Sequence, residues 1–142
     1  MKKRDKRASA ARVVASKAPQ ARPPAANSLN PRWSFVRVDH EGPWPWDGIS
    51  GDRLVSLMKR LADLERATWA GMGQAGSHFV AVGRIAPEAQ RRLPQLQLDD
   101  VDELFSARIG ARGRIWGTRV RDTLFLMWWD PEHRVCPGLD RR

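Results

Sequence analysis

The stretch Thr123-Leu124-Phe125-Leu126-Met127-Trp128-Trp129-Asp130-Pro131-Glu132-His133 decides the fold. Every residue from 124 to 129 is apolar, and the run lies between the turn signals Arg121-Asp122 and Asp130-Pro131. A short run of this kind, rich in aromatic side chains, reads as a central strand covered on both faces. It is far shorter than the roughly 20 apolar residues a membrane-spanning helix needs, so no membrane partner is expected. Upstream, Leu104 to Ile109 and Arg114 to Val120 are two more strand-like runs, set off by Gly110-Ala111-Arg112-Gly113 and by Arg121-Asp122. Together the three runs predict an antiparallel meander.

Further out, Leu54, Leu57, Met58, Leu61 and Leu64 recur at helical spacing behind the cap candidates Ser50 and Asp52, and Lys59, Arg60, Asp63 and Glu65 fall mostly on the other side. This pattern predicts the main helix, ending near Trp69 because Gly71, Gly73 and Gly76 follow. It is expected to cover one face of the central strand. Pro87 at a first helical position opens a shorter helix that Pro94 stops. Trp33 to Asp39 and His78 to Val82 read as further strands, the first running into the turn-rich segment Gly42 to Gly48. The fold class is therefore α+β. It comprises an antiparallel sheet, made of the C-terminal three-stranded meander plus one or two further strands, packed on one main helix and a short helix.

The 142 residues suit one domain. Lys and Arg number 25 against 16 Asp and Glu, a formal charge of +9. The first 30 residues hold eight basic side chains and one acid, so most of that surplus sits there. With its Pro/Ala-rich stretch from Ala18 to Ala26, segment 1–31 reads as a disordered basic tail, 32–138 as the α+β domain and 139–142 as a C-terminal tail. The basic tail either touches nucleic acid or keeps the chain soluble. One cysteine, Cys136, makes no internal disulfide, and only Val13-Val14-Ala15 stands where a secretory signal needs a longer apolar core. A cytoplasmic setting is expected.

Arg108, Arg112 and Arg114 fall on one hairpin, and Arg119 and Arg121 extend the set. Guanidinium groups offer planar forks of donors that match phosphate oxygens, so the hairpin reads as a phosphate cradle, or else as a sheet edge kept soluble by charge. His133 follows the central strand with Asp130, Glu132 and Arg134 beside it. Imidazole is the side chain that exchanges protons near neutral pH. Metal-independent RNA cleavage needs a base, an acid and a cation. His133, Glu132 and Arg114 or Arg134 supply those parts, while the alternative is a turn whose side chains cap backbone amides. Trp44 and Trp46, in Trp-Pro-Trp, offer a stacking platform for bases or a partner, or else pack on the domain's own sheet. His40, His78 and His133, with Asp39, Asp130 or Cys136, lack metal-ligand spacing, and no metal site is expected. Gly71-x-Gly73-x-x-Gly76 follows a helix and precedes a strand, the reverse of a dinucleotide-binding context, and no cofactor is expected.

The C-terminal third, Leu104 through Trp116-Gly117 and then Thr123 to Pro137, resembles small prokaryotic proteins of uncharacterised function that end in WxDPxHxxYP. Cys136 stands at the tyrosine position. The order of elements is also similar to that of the RelE/ParE-like toxins. That resemblance covers about 35 residues. It implies a compact sheet with helices on one face and an arginine-lined concave site on the other, with RNA or the ribosome, and an acidic antitoxin-like protein, as partners. It also implies phosphate-stabilising roles for Arg108 and Arg114 and a general acid/base role for His133. On this reading Arg112, Arg119 and Arg134 contribute to nucleic-acid binding. The alternative is a non-enzymatic protein- or nucleic-acid-binding module.

Overall fold

The computed structural model describes residues 24–138. The central apolar run forms β5 (Thr123–Asp130), and the meander is completed by β3 (Glu103–Arg108) and β4 (Arg114–Val120). β1 (Arg32–Ser34) and β2 (His78–Ala81) flank it, giving the strand order β1-β5-β4-β3-β2. The architecture is α+β, as the patterning predicts, but the sheet is mixed. β1 runs parallel to β5, with Trp33 opposite Leu124, while every other pair is antiparallel. Local turns dictate the antiparallel meander. β1 reaches its place from more than eighty residues away, its Arg32 N–H donating to the Asp122 carbonyl at 2.8 Å, and no local signal sets its direction.

Among the described residues four α-helices pack around the sheet: a single turn α1 (Pro24–Asn27), α2 (Gly51–Leu64), α3 (Trp69–Gln74) and α4 (Pro87–Gln95). Leu57, Leu61 and Leu64 of α2 and Trp69 and Met72 of α3 bury one sheet face with Phe105, Ile115, Leu124, Leu126 and Trp129. Ala89 and Leu93 of α4 bury the other with Leu104, Trp116, Met127 and Trp128. Helices thus occupy both faces, and the open concave face implied by the toxin-like resemblance is replaced by a second core.

A β-bulge sets the second core. Trp116 pairs with Trp128 but Gly117 pairs with Leu126, so Met127 is an extra residue in β5. The bulge turns Met127 and Trp128 to the same core, where strict alternation would have separated them. Gly117 permits it, because a Cβ there would meet the Phe125 carbonyl oxygen.

Several expected boundaries shift for physical reasons. The strand expected over Trp33 to Asp39 stops at Ser34, since Val38 N–H turns back to the Phe35 carbonyl (3.3 Å) and Asp39 is buried against the Arg92 guanidinium. The main helix stops at Leu64, and the Thr68 hydroxyl then caps α3 by accepting the Gly71 N–H at 3.0 Å. Leu54 and Met58, expected in the core, are 40% and 58% exposed, because the apolar arc of α2 is wider than the sheet it covers. Residues 24–31 also belong to the folded unit. Ala26 is buried, Leu29 accepts the Trp69 N–H at 3.1 Å and Asn30 Nδ2 donates to the Ala67 carbonyl at 2.8 Å. The rest of the expected basic tail, 1–23, and the C-terminal tail 139–142 lie outside the described residues. Among the described residues no helix is long and apolar enough to cross a membrane.

Candidate functional site

Two buried carboxylates shape the surface beside the end of β5. Asp39, 3% exposed, accepts Arg92 Nη2 at 2.7 Å and Arg92 Nε at 2.9 Å, Trp128 Nε1 at 2.9 Å, and the N–H groups of Gly42 and Glu41 at 3.1 and 3.2 Å. It therefore ties the loop after β1 to both α4 and β5. Burial alone pushes its carboxyl pKa up, but hydrogen bonds from Arg92, Trp128 and the Glu41 amide outweigh that and hold it below the ordinary aspartate value. A Cβ at position 42 would collide with this carboxylate. Trp44 follows, stacked at a tilt on Trp128 with ring centroids 5.2 Å apart, its carbonyl accepting the Trp129 N–H at 3.1 Å.

Asp130, fully buried, accepts the N–H groups of Arg134 (2.7 Å) and Val135 (2.9 Å) and Trp116 Nε1 (3.2 Å). Its carboxylate caps the turn Pro131-Glu132-His133 and pins it to β4, one of the two roles the sequence leaves open. His133 sits in that turn with φ +60°, a left-handed conformation uncommon outside glycine, and is half-buried. The turn fixes where His133 stands while leaving its flanks, Glu132 and Arg134, exposed.

These elements border an open cleft of about 790 Å³ lined by Trp44, Glu88, Arg112, Glu132, His133 and Arg134 among others. Arg112, from the β3–β4 turn, pairs with Glu132 at 3.5 Å. A second hollow of about 370 Å³ adjoins it, sharing Trp44, Glu132 and Arg134 and adding Asp47 and Arg53. The result is a groove with cations along it: Arg112, Arg134 and Arg53.

Of the expected site residues, His133, Glu132, Arg112, Arg134 and Trp44 meet in this cleft, and the others do not line it. Arg114 is 1% exposed, and its Nη1 donates to the carbonyls of Gly113 and Gly110 at 3.0 and 3.2 Å, bracing the turn that carries Arg112. Arg108 folds against Gly76 and donates Nε to the Gly110 carbonyl at 3.2 Å. Arg119 lies on the other sheet face, 4.0 Å from the Trp69 ring centroid, and donates to Asn27 Oδ1 at 3.0 Å. Trp46 donates Nε1 to the Met127 carbonyl at 3.2 Å and packs with the core under α2. Trp44 is itself mostly buried, so it offers the cleft an edge rather than a free face.

Glu88 and Arg53 were missed by the sequence reading. Each stands in the first turn of a helix distant in sequence from the rest of the cleft, and only the tertiary fold brings it there. Among the described residues no three His, Cys, Asp or Glu side chains gather as a metal-ligand set; His40 is exposed after β1 and His78 opens β2. Compared with family models, curated proteins and solved structures, the chain finds no match.

Proposed function

We propose that this groove binds single-stranded RNA and that the chain is a metal-independent endoribonuclease, the activity that the resemblance of its C-terminal third to RelE/ParE-like toxins implies, although helices cover both faces of its sheet. The observation that carries the reading is the gathering of His133, Glu132, Arg112 and Arg134 around one cleft from two separate turns. Arg112 and Arg134 match the non-bridging phosphate oxygens, and a phosphate drawing Arg112 to itself releases Glu132 from its ion pair. The freed carboxylate takes the proton of a 2′-hydroxyl, the 2′-oxygen bonds to phosphorus, and the bond to the 5′-oxygen breaks as that oxygen takes a proton from the His133 imidazolium. The products are a 2′,3′-cyclic phosphate and a 5′-hydroxyl.

A second reading, a binding module without cleavage, is favoured by one observation. Arg114, the expected phosphate-stabilising cation, is spent on backbone carbonyls. Incubating a single-stranded RNA with the purified chain in chelator separates the two. Cyclic-phosphate ends that disappear with His133→Ala and with Glu132→Gln support the nuclease. Binding without cleavage supports the module, and binding unaffected by Arg112→Ala and Arg134→Ala removes the groove from both.

A further inference from the structure

Within the cleft, Arg112 and Glu132 answer each other's charge, whereas two other side chains do not. Among the described residues neither the Glu88 carboxylate nor the Arg134 guanidinium makes a hydrogen bond or ion pair, although both line the cleft. The N-terminal dipole of α4 accounts for an acid at Glu88. It does not account for an acid facing a place where phosphate is to sit, since a bare phosphate would be repelled. A ligand satisfying both residues carries an anion for Arg134 and N–H donors for Glu88.

The nucleobases differ sharply in what they offer a carboxylate. Guanine presents two adjacent donors, N1–H and N2–H, on one edge, matching both oxygens of a carboxylate. Adenine and cytosine set their single amine beside a ring acceptor, and uracil sets its N–H between two carbonyls; in each case one carboxylate oxygen faces a lone pair. We infer that Glu88 is a specificity residue that selects guanine, with the attached phosphate held by Arg134. The inference rests on the RNA-binding reading above and names the base which that site takes.

The test is calorimetric titration of the full chain with 3′-guanosine, 3′-inosine and 3′-adenosine monophosphates. It is repeated with a single-stranded RNA containing one guanosine and with its adenosine counterpart. Guanine forms are expected to bind about 10-fold or more tightly than adenine forms, with inosine, lacking the second donor, between them. Glu88→Gln is expected to bring guanine to within about three-fold of adenine, and because Glu88 is exposed, an unchanged thermal melt confirms that the variant is folded. Equal affinity for guanine and adenine, or selectivity that survives Glu88→Gln, overturns the inference. RNA bound without base preference overturns it while leaving the RNA reading standing. Guanine-selective mononucleotide binding without RNA binding removes the RNA reading and leaves Glu88 as the guanine contact for a free nucleotide. If neither nucleotide nor RNA binds, both fail.

Discussion

Asp39 and Asp130 do at the residue scale what the site requires: each is an aspartate without solvent whose oxygens are filled by N–H donors from separate parts of the chain. Replacing Asp39 with Asn leaves the Arg92 charge facing a neutral amide, and chemical denaturation is expected to show a loss of about 3 kcal/mol at pH 7. Because the folded pKa of Asp39 is depressed, its contribution is present above the unfolded aspartate value, near 3.9, and is lost as pH falls through the lower folded value. The gap between wild type and Asp39→Asn should therefore narrow as denaturation is repeated below about pH 4; a gap independent of pH would show that the carboxylate charge is not what Arg92 and Trp128 hold. Arg119 separates arginines that pack from those that line the proposed groove. Its guanidinium covers Trp69 and holds Asn27, so Arg119→Ala should lower stability by about 1 kcal/mol while leaving RNA affinity within two-fold.

At the scale of elements, α2 carries an apolar arc of which only one side meets the sheet. Leu61→Ala is expected to cost about 3 kcal/mol in a denaturation series, whereas Met58→Lys should change stability by no more than about 0.5 kcal/mol, as their exposures of 8% and 58% imply. Equal losses would mean that Met58 is covered by something beyond the described residues. The meander was legible in the sequence because its signals are local: the Leu124 to Trp129 run, the two turns beside it, and the arginines between. The helix pattern was legible too, but periodicity cannot tell which part of a wide arc a sheet will cover. The parallel β1 and the Asp39–Arg92 pair were not legible, since each joins segments far apart along the chain, and the bulge at Met127 was not legible because an unbroken apolar run carries no mark of where its alternation slips. The candidate site divides the same way. Glu132, His133 and Arg134 are one local turn and were found; Glu88 and Arg53 arrive by tertiary packing and were not.

For the whole molecule, the formal charge of +9 describes the chain's start more than its site. All eight of the early basic side chains lie within residues 1–23, and deleting that segment should lower RNA affinity and flatten its salt dependence without altering which cleft arginines matter. What the folded unit contributes is placement: an aspartate-capped turn after β5, the β3–β4 turn braced by Arg114, and the first turn of α4 converge on one groove. The most direct measurement of that placement is the affinity of a short single-stranded RNA as a function of salt for wild type, Arg112→Ala, Arg134→Ala and Arg119→Ala. The groove predicts that each of the first two substitutions weakens binding and reduces the slope of log affinity against log salt by about 0.7, while Arg119→Ala matches wild type. Equal slopes for all four proteins, or a loss confined to Arg119→Ala, would contradict it.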